Sequence, residues 1–65
     1  MKVLLRNPRR ELVIEGTRSV NALLAELQLA RESHLVIRNG TLVPGDARLT
    51  SDDVVEIRPV ISGGT

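Results

Sequence analysis

One stretch of this sequence carries the spacing of an amphipathic helix, and short apolar runs of strand length flank it on both sides. Val20, Leu23, Leu24 and Leu27 fall at i, i+3, i+4 and i+7, which makes one stripe down a helix. Ser19 stands just before the stripe and can accept from a free N–H of the first turn, so it is the expected N-cap. Ala22 occupies the place where a capping box would have Glu or Gln. A single helix must bury its leucines against other elements, and the flanking runs supply them.

Lys2-Val3-Leu4-Leu5-Arg6 reads as a first strand, Asn7-Pro8-Arg9-Arg10 as a turn, and Glu11-Leu12-Val13-Ile14-Glu15 as a second strand closed by Gly16. After the helix, Leu35-Val36-Ile37-Arg38 is a third strand. Asn39-Gly40 then tolerates the positive φ angles of a two-residue hairpin turn, and Thr41-Leu42-Val43 runs back as a short fourth strand. Pro44-Gly45 fits positions two and three of a type II turn. Asp46 to Asp53 is a polar connection pinned inward by Leu49, and Val54-Val55-Glu56-Ile57-Arg58 is the last strand, its regular pairing ended by Pro59. The order strand, strand, helix, strand, short strand, strand is that of an α+β β-grasp: a mixed four- to five-stranded sheet with one helix across one face. In such a fold the first and last strands lie side by side and parallel. Val3, Leu5, Leu12, Ile14, Leu35, Ile37, Val55 and Ile57 are expected to face the helix. The chain divides into a β-grasp domain over 1–59 and a flexible tail over 60–65.

Sixty-five residues permit one small core. With no cysteine and a single histidine, His34, neither disulfides nor a structural zinc can staple it. The net charge of +1 is too small to drive strong non-specific binding to nucleic acid or anionic lipid. The absence of aromatic residues removes the stacking platforms of single-strand binders, so no direct nucleic-acid partner is expected. No apolar run is long enough for a membrane helix or a signal peptide, and the default location is cytoplasmic, with the chain a monomer on its own. Arg9 and Arg10 read as a solvated turn, His34 as a lone surface histidine, and Asp46, Asp52 and Asp53 as turn and strand-start residues. No nucleophile–base pair, phosphate loop or metal constellation is present, so no catalytic or metal-binding residue is assigned and no enzyme is expected.

The remaining feature is the end of the chain, Val60-Ile61-Ser62-Gly63-Gly64-Thr65. Two adjacent glycines after a strand and an apolar spacer have little structural use, since glycine costs backbone entropy to order and packs nothing. From Met1 through Gly64 the chain resembles the ThiS and MoaD family of bacterial ubiquitin-like sulfur carriers in length, element order and Gly-Gly end. Val20-Asn21-Ala22-Leu23-Leu24-Ala25-Glu26-Leu27 looks like that family's helix. Ile61-Ser62-Gly63-Gly64 is similar to the tail of the carrier feeding tRNA 2-thiouridine synthesis, whereas thiazole-forming carriers more often have Ala at the position of Ser62.

The resemblance implies that an E1-like adenylating enzyme uses ATP to activate the Gly64 carboxylate. A sulfur donor, a sulfurtransferase or cysteine desulfurase, then leaves a thiocarboxylate that a downstream enzyme accepts. ATP belongs to the partner, and the carrier itself binds no cofactor. Gly63 and Gly64 can thread a narrow site where a Cβ would clash, Val60 and Ile61 can anchor the tail's root, and Ser62 is small enough to follow. Thr65 departs from the pattern, because the free carboxylate is then not on glycine. It is either an incidental end residue or marks a precursor cut by a protease between Gly64 and Thr65. Strand alternation would expose Leu4, Val13, Val36 and Val54 as an apolar docking surface. Arg6 and Arg58 would meet where the tail leaves, placed to steer it toward an acidic entrance. The other readings are a thiamin thiazole or molybdopterin carrier, a ubiquitin-like protein modifier, and a β-grasp interaction module with an inert tail.

Overall fold

A computed structural model describes residues 1–6 and 9–60. The expected turn residues Asn7 and Pro8 and the tail from Ile61 to Thr65 lie outside the described residues. Strands β1 (Lys2–Leu5), β2 (Arg10–Val13), β4 (His34–Arg38), β5 (Thr41–Val43) and β7 (Val54–Pro59) form one sheet in the order β2-β1-β7-β4-β5. Helix α1 (Val20–Glu26) packs across one face. The expected β-grasp is thus present, with β1 and β7 parallel and every other pairing in the sheet antiparallel.

Three further elements are too short to be seen in the sequence. β3 (Arg18–Ser19) and β6 (Arg48–Leu49) pair as a small second sheet, and a 3₁₀ turn spans Arg31–Ser33. Leu49, fully buried, fixes β6 against the core as its sequence position suggested.

The helix begins as expected. Ser19 has extended backbone and its hydroxyl accepts from the Ala22 N–H at 3.1 Å. It ends after two turns in a Schellman arrangement, with Leu29 N–H donating to the Leu24 carbonyl at 2.9 Å and Gln28 N–H to Ala25 at 3.1 Å. Gln28 sits at φ 60°, where glycine is usual. Val20, Leu23 and Leu24 of the stripe are buried, and Leu27 and Leu29 pack at its margin. They meet Val3, Val36, Val55 and Ile57 from the sheet, with Met1 and Leu49 closing the lower end.

Two expectations are corrected. The phase of β4 is the reverse of the one proposed: Val36 is 3% exposed while Leu35 is 45% exposed, so Leu35 and Ile37 face away from the helix. Three apolar residues in a row leave the phase of β4 open, and pairing decides it, because Val36 lies opposite the buried Ile57 and directly opposed residues share a face. The Pro44-Gly45 turn also differs. The Ala47 N–H donates to the Pro44 carbonyl at 3.1 Å, so Gly45 is the second residue of the turn, and its φ is not positive. Glycine lets the exposed Asn21 side chain lie against the turn, since a Cβ would overlap Asn21 Oδ1 where it now sits, and the Asn21 N–H donates to the Gly45 carbonyl at 2.9 Å. The Asn39-Gly40 turn is as expected, with φ of 49° and 86°.

Among the described residues no helix is long and apolar enough to cross a membrane.

Candidate functional site

The site is built around the point where the chain leaves the sheet. β7 runs to Pro59, which pairs with His34, so pairing continues one residue past Arg58. A proline is tolerated there because the strand end no longer requires its N–H. The next N–H, from Val60, donates to the Ser33 carbonyl at 2.7 Å and ties the root of the tail to the 3₁₀ turn. Ile61, Ser62, Gly63, Gly64 and Thr65 lie outside the described residues.

Parallel pairing of β1 with β7 sets Leu5 beside Ile57, which brings Arg6 next to Arg58 at the exit. Sequence reasoning missed the residue between them. The Glu56 carboxylate, half-buried, accepts from Arg6 Nε at 3.2 Å and Nη2 at 2.9 Å, and lies 3.8 Å from Arg58 Nε. Two guanidinium groups share one carboxylate, so this corner keeps a single positive charge, and the two hydrogen bonds hold Arg6 in place. Glu56 could have been found from its period-two spacing to Arg58, which puts both on one face.

The face away from the helix is only partly the one expected. Val13 and Val54 are exposed, at 74% and 44%, and Leu4 is half-buried. Val36 is not part of this face: it lies in the core, and cannot dock a partner. Its place is taken by neighbours that the opposite phase turns outward. Leu4, Glu56, Ile37 and Leu42 lie in register across β1, β7, β4 and β5, with Leu35 beside Arg58 in the next row. An apolar row flanking a charged, ordered corner is a surface suited to a protein partner.

Elsewhere the titratable groups are local in their effects. His34 Nδ1 lies 2.8 Å from the Ala30 carbonyl. Asp53 accepts from the Thr50 N–H at 2.8 Å and from Asn39 Nδ2 at 3.0 Å, and these bonds, the backbone one foremost, lower its carboxyl below the ordinary value. Asn39 in turn accepts from the Val54 N–H, so the pair ties the β4–β5 hairpin to the start of β7. Among the described residues no three His, Cys, Asp or Glu side chains converge as a metal site would require.

Comparison with known proteins gives this geometry its context. The chain is 34% identical over 65 residues to the sulfur carrier protein TtuB of Thermus thermophilus, an alignment covering 98% of this chain and all of that one. Its fold matches the crystal structure of the thiamine biosynthesis protein ThiS from Geobacter metallireducens over the whole of both chains, with a TM-score of 0.63 at 24% identity. The model of the ThiS family matches residues 3–64, from β1 through the second glycine of the tail. This chain belongs to the ThiS family, whose members are small carrier proteins rather than enzymes.

Proposed function

We propose that the chain carries sulfur as a thiocarboxylate on Gly64 and delivers it to tRNA 2-thiouridine synthesis. The observation that supports this most is the family match reaching through Gly64, because it includes the Gly63-Gly64 pair that sequence reasoning singled out. The Gly64 carboxylate is adenylated by an E1-like enzyme using ATP with release of pyrophosphate. The persulfide of a sulfurtransferase or cysteine desulfurase displaces AMP to give an acyl disulfide, and a thiol then reduces that disulfide to leave the thiocarboxylate. A thiocarboxylate then passes sulfur to the downstream enzyme. Each step needs the terminal carbonyl carbon at the tip of a chain slender enough to enter another enzyme's site, and Gly63 and Gly64 meet that need by lacking Cβ atoms. Residues following Gly64, Thr65 among them, have to be removed first by a protease.

The choice of tRNA thiolation over thiazole synthesis rests on similarity to TtuB over the full length and on Ser62 before the glycines. Docking falls to the outer face, where Leu4, Ile37 and Leu42 lie in the row of Glu56 beside the Arg6–Glu56–Arg58 corner, and Val13 and Val54 extend the face toward the other end of the strands. The charge there acts on encounter and the apolar row on the bound complex.

The test is reconstitution with purified activating enzyme, ATP and sulfur donor, followed by intact mass and by thiolation of tRNA. The chain ending at Gly64 should gain the mass of one oxygen-to-sulfur exchange, and Gly64→Val should not. Sulfur gain with transfer to a thiazole precursor instead of tRNA would reassign the acceptor. No gain at all would leave the β-grasp interaction module as the better reading.

A further inference from the structure

A second surface lies on the helix side of the sheet. α1 has seven residues, a length of about 10 Å, and with its side chains is about 10–12 Å wide. Five strands spaced about 4.8 Å apart are wider than that, so one short helix cannot cover the sheet to its edges. The shortfall leaves a cavity of about 390 Å³ that runs from β2 to the tail exit, with Leu5, Leu12, Leu27, Leu29 and Ile57 as its apolar lining and Arg6, Arg10, His34 and Pro59 around them.

Its mouth is cationic. Arg10 lies opposite Leu5, and opposed residues share a face, so its side chain stands on the helix side at the rim of the cavity. Arg10 is exposed and makes no ion pair among the described residues. Arg6 lines the cavity as well but is paired with Glu56, so among the described residues Arg10 is the cation at the mouth without a carboxylate partner.

The cavity also adjoins an open strand edge. β2 is the last strand on its side of the sheet. Met1 and Ile14 exchange both backbone bonds, at 2.5 and 2.9 Å, and antiparallel pairs alternate between bonded and non-bonded. Leu12 therefore bonds inward to Val3, while Glu11 and Val13 turn their N–H and C=O groups to the open edge. Backbone groups in a row beside an apolar cavity are what strand addition uses: the main chain supplies affinity and alternate side chains supply specificity.

We propose that this groove binds an extended segment of a partner protein that adds to the edge of β2. Aliphatic side chains at alternate positions enter the cavity, and a carboxylate on the same face meets Arg10. The groove meets the docking surface for activation only at the tail exit, where Arg6 and Pro59 line its end.

The experiment titrates the isotope-labelled chain, without ATP or other proteins, with the capped peptide Glu-Thr-Leu-Thr-Leu-Thr-Glu. Its acidic and leucine positions share one face in either strand direction. Saturable amide shifts are expected at Glu11 and Val13 and at Leu27 and Leu29, and a peptide with Lys in place of both Glu should bind at least about tenfold more weakly. Arg10→Glu, on an exposed side chain, should keep the native spectrum and reverse that preference. Shifts confined to Leu4, Ile37 and Leu42, equal binding of the two peptides, or no saturation at millimolar peptide would each overturn the proposal.

Discussion

Val36 and Leu35 are adjacent and similar in chemistry, yet one is 3% exposed and the other 45% exposed, and the contrast between the two faces of the sheet runs through the whole molecule. On the helix side Val3, Val36, Val55 and Ile57 meet the leucines of α1, and no charged side chain is buried among the described residues. On the far side aliphatic residues alternate with Lys2, Glu11, Glu56 and Arg58, which pair with one another or with Arg6. The same strands build both faces. What differs is that burial selects by volume and penalises charge, while an exposed face can hold charges at almost no cost. The buried part of the first face should therefore govern stability, and the second face should govern association with the activating enzyme.

The largest effect that tests this division is in the core. Leu24 is 2% exposed, and Leu24→Ala should cost about 2–5 kcal/mol, a large share of the total for so short a chain. An unchanged denaturation midpoint would show that the helix does not pack as described. Next comes the tail exit. Replacing Arg6 and Arg58 with Glu would set two more carboxylates beside that of Glu56, so Gln is the cleaner substitution. The Arg6→Gln, Arg58→Gln double variant should slow association with the activating enzyme, most at low salt, and leave the melting temperature nearly unchanged. Equal on-rates at low salt would remove the steering role.

Smaller effects come from the ends of elements. Gln28 at φ 60° bears a left-handed penalty that glycine does not, so Gln28→Gly should raise stability by roughly 0.5–1 kcal/mol, measured by urea denaturation. A loss would mean that the Gln28 side chain contributes contacts worth more than the strain. Least in size is an acid effect at Asp53, whose carboxyl is lowered by the Thr50 N–H and then by Asn39. A carboxyl lowered in the folded state stabilises fully above its unfolded value of about 4 and loses that contribution as pH falls through the lower folded value. Wild type should lose stability in that acid window more steeply than Asp53→Asn. Parallel curves would show that the bonds to Asp53 have no net effect.

Much of this was legible in the sequence because local and tertiary preferences agree. The 3.6 period of Val20 to Leu27, the Ser19 cap and Asn39-Gly40 each specify one conformation, and the parallel β1–β7 pair that aligns Arg6 with Arg58 follows from the element order. What was not legible depends on partners distant in sequence. The phase of β4 is set by Ile57, the turn at Gly45 by Asn21, and the two-residue strands β3 and β6 by the burial of Leu49. Glu56 was overlooked because a strand glutamate usually means only a solvated face. The groove beside β2 follows from the length of α1, and the stripe appeared to continue to Leu27, one residue past the last helical one.

The central claim is that Gly64 carries the reacting carboxylate, and the most direct measurement compares chains ending at Gly64 and at Thr65 by intact mass. Both are incubated with purified activating enzyme, ATP and sulfur donor, and no protease. Only the chain ending at Gly64 should exchange oxygen for sulfur, with the added mass confined to its C-terminal peptide. The same gain in both chains, or sulfur located anywhere but the terminal carboxyl, would contradict sulfur carriage on Gly64.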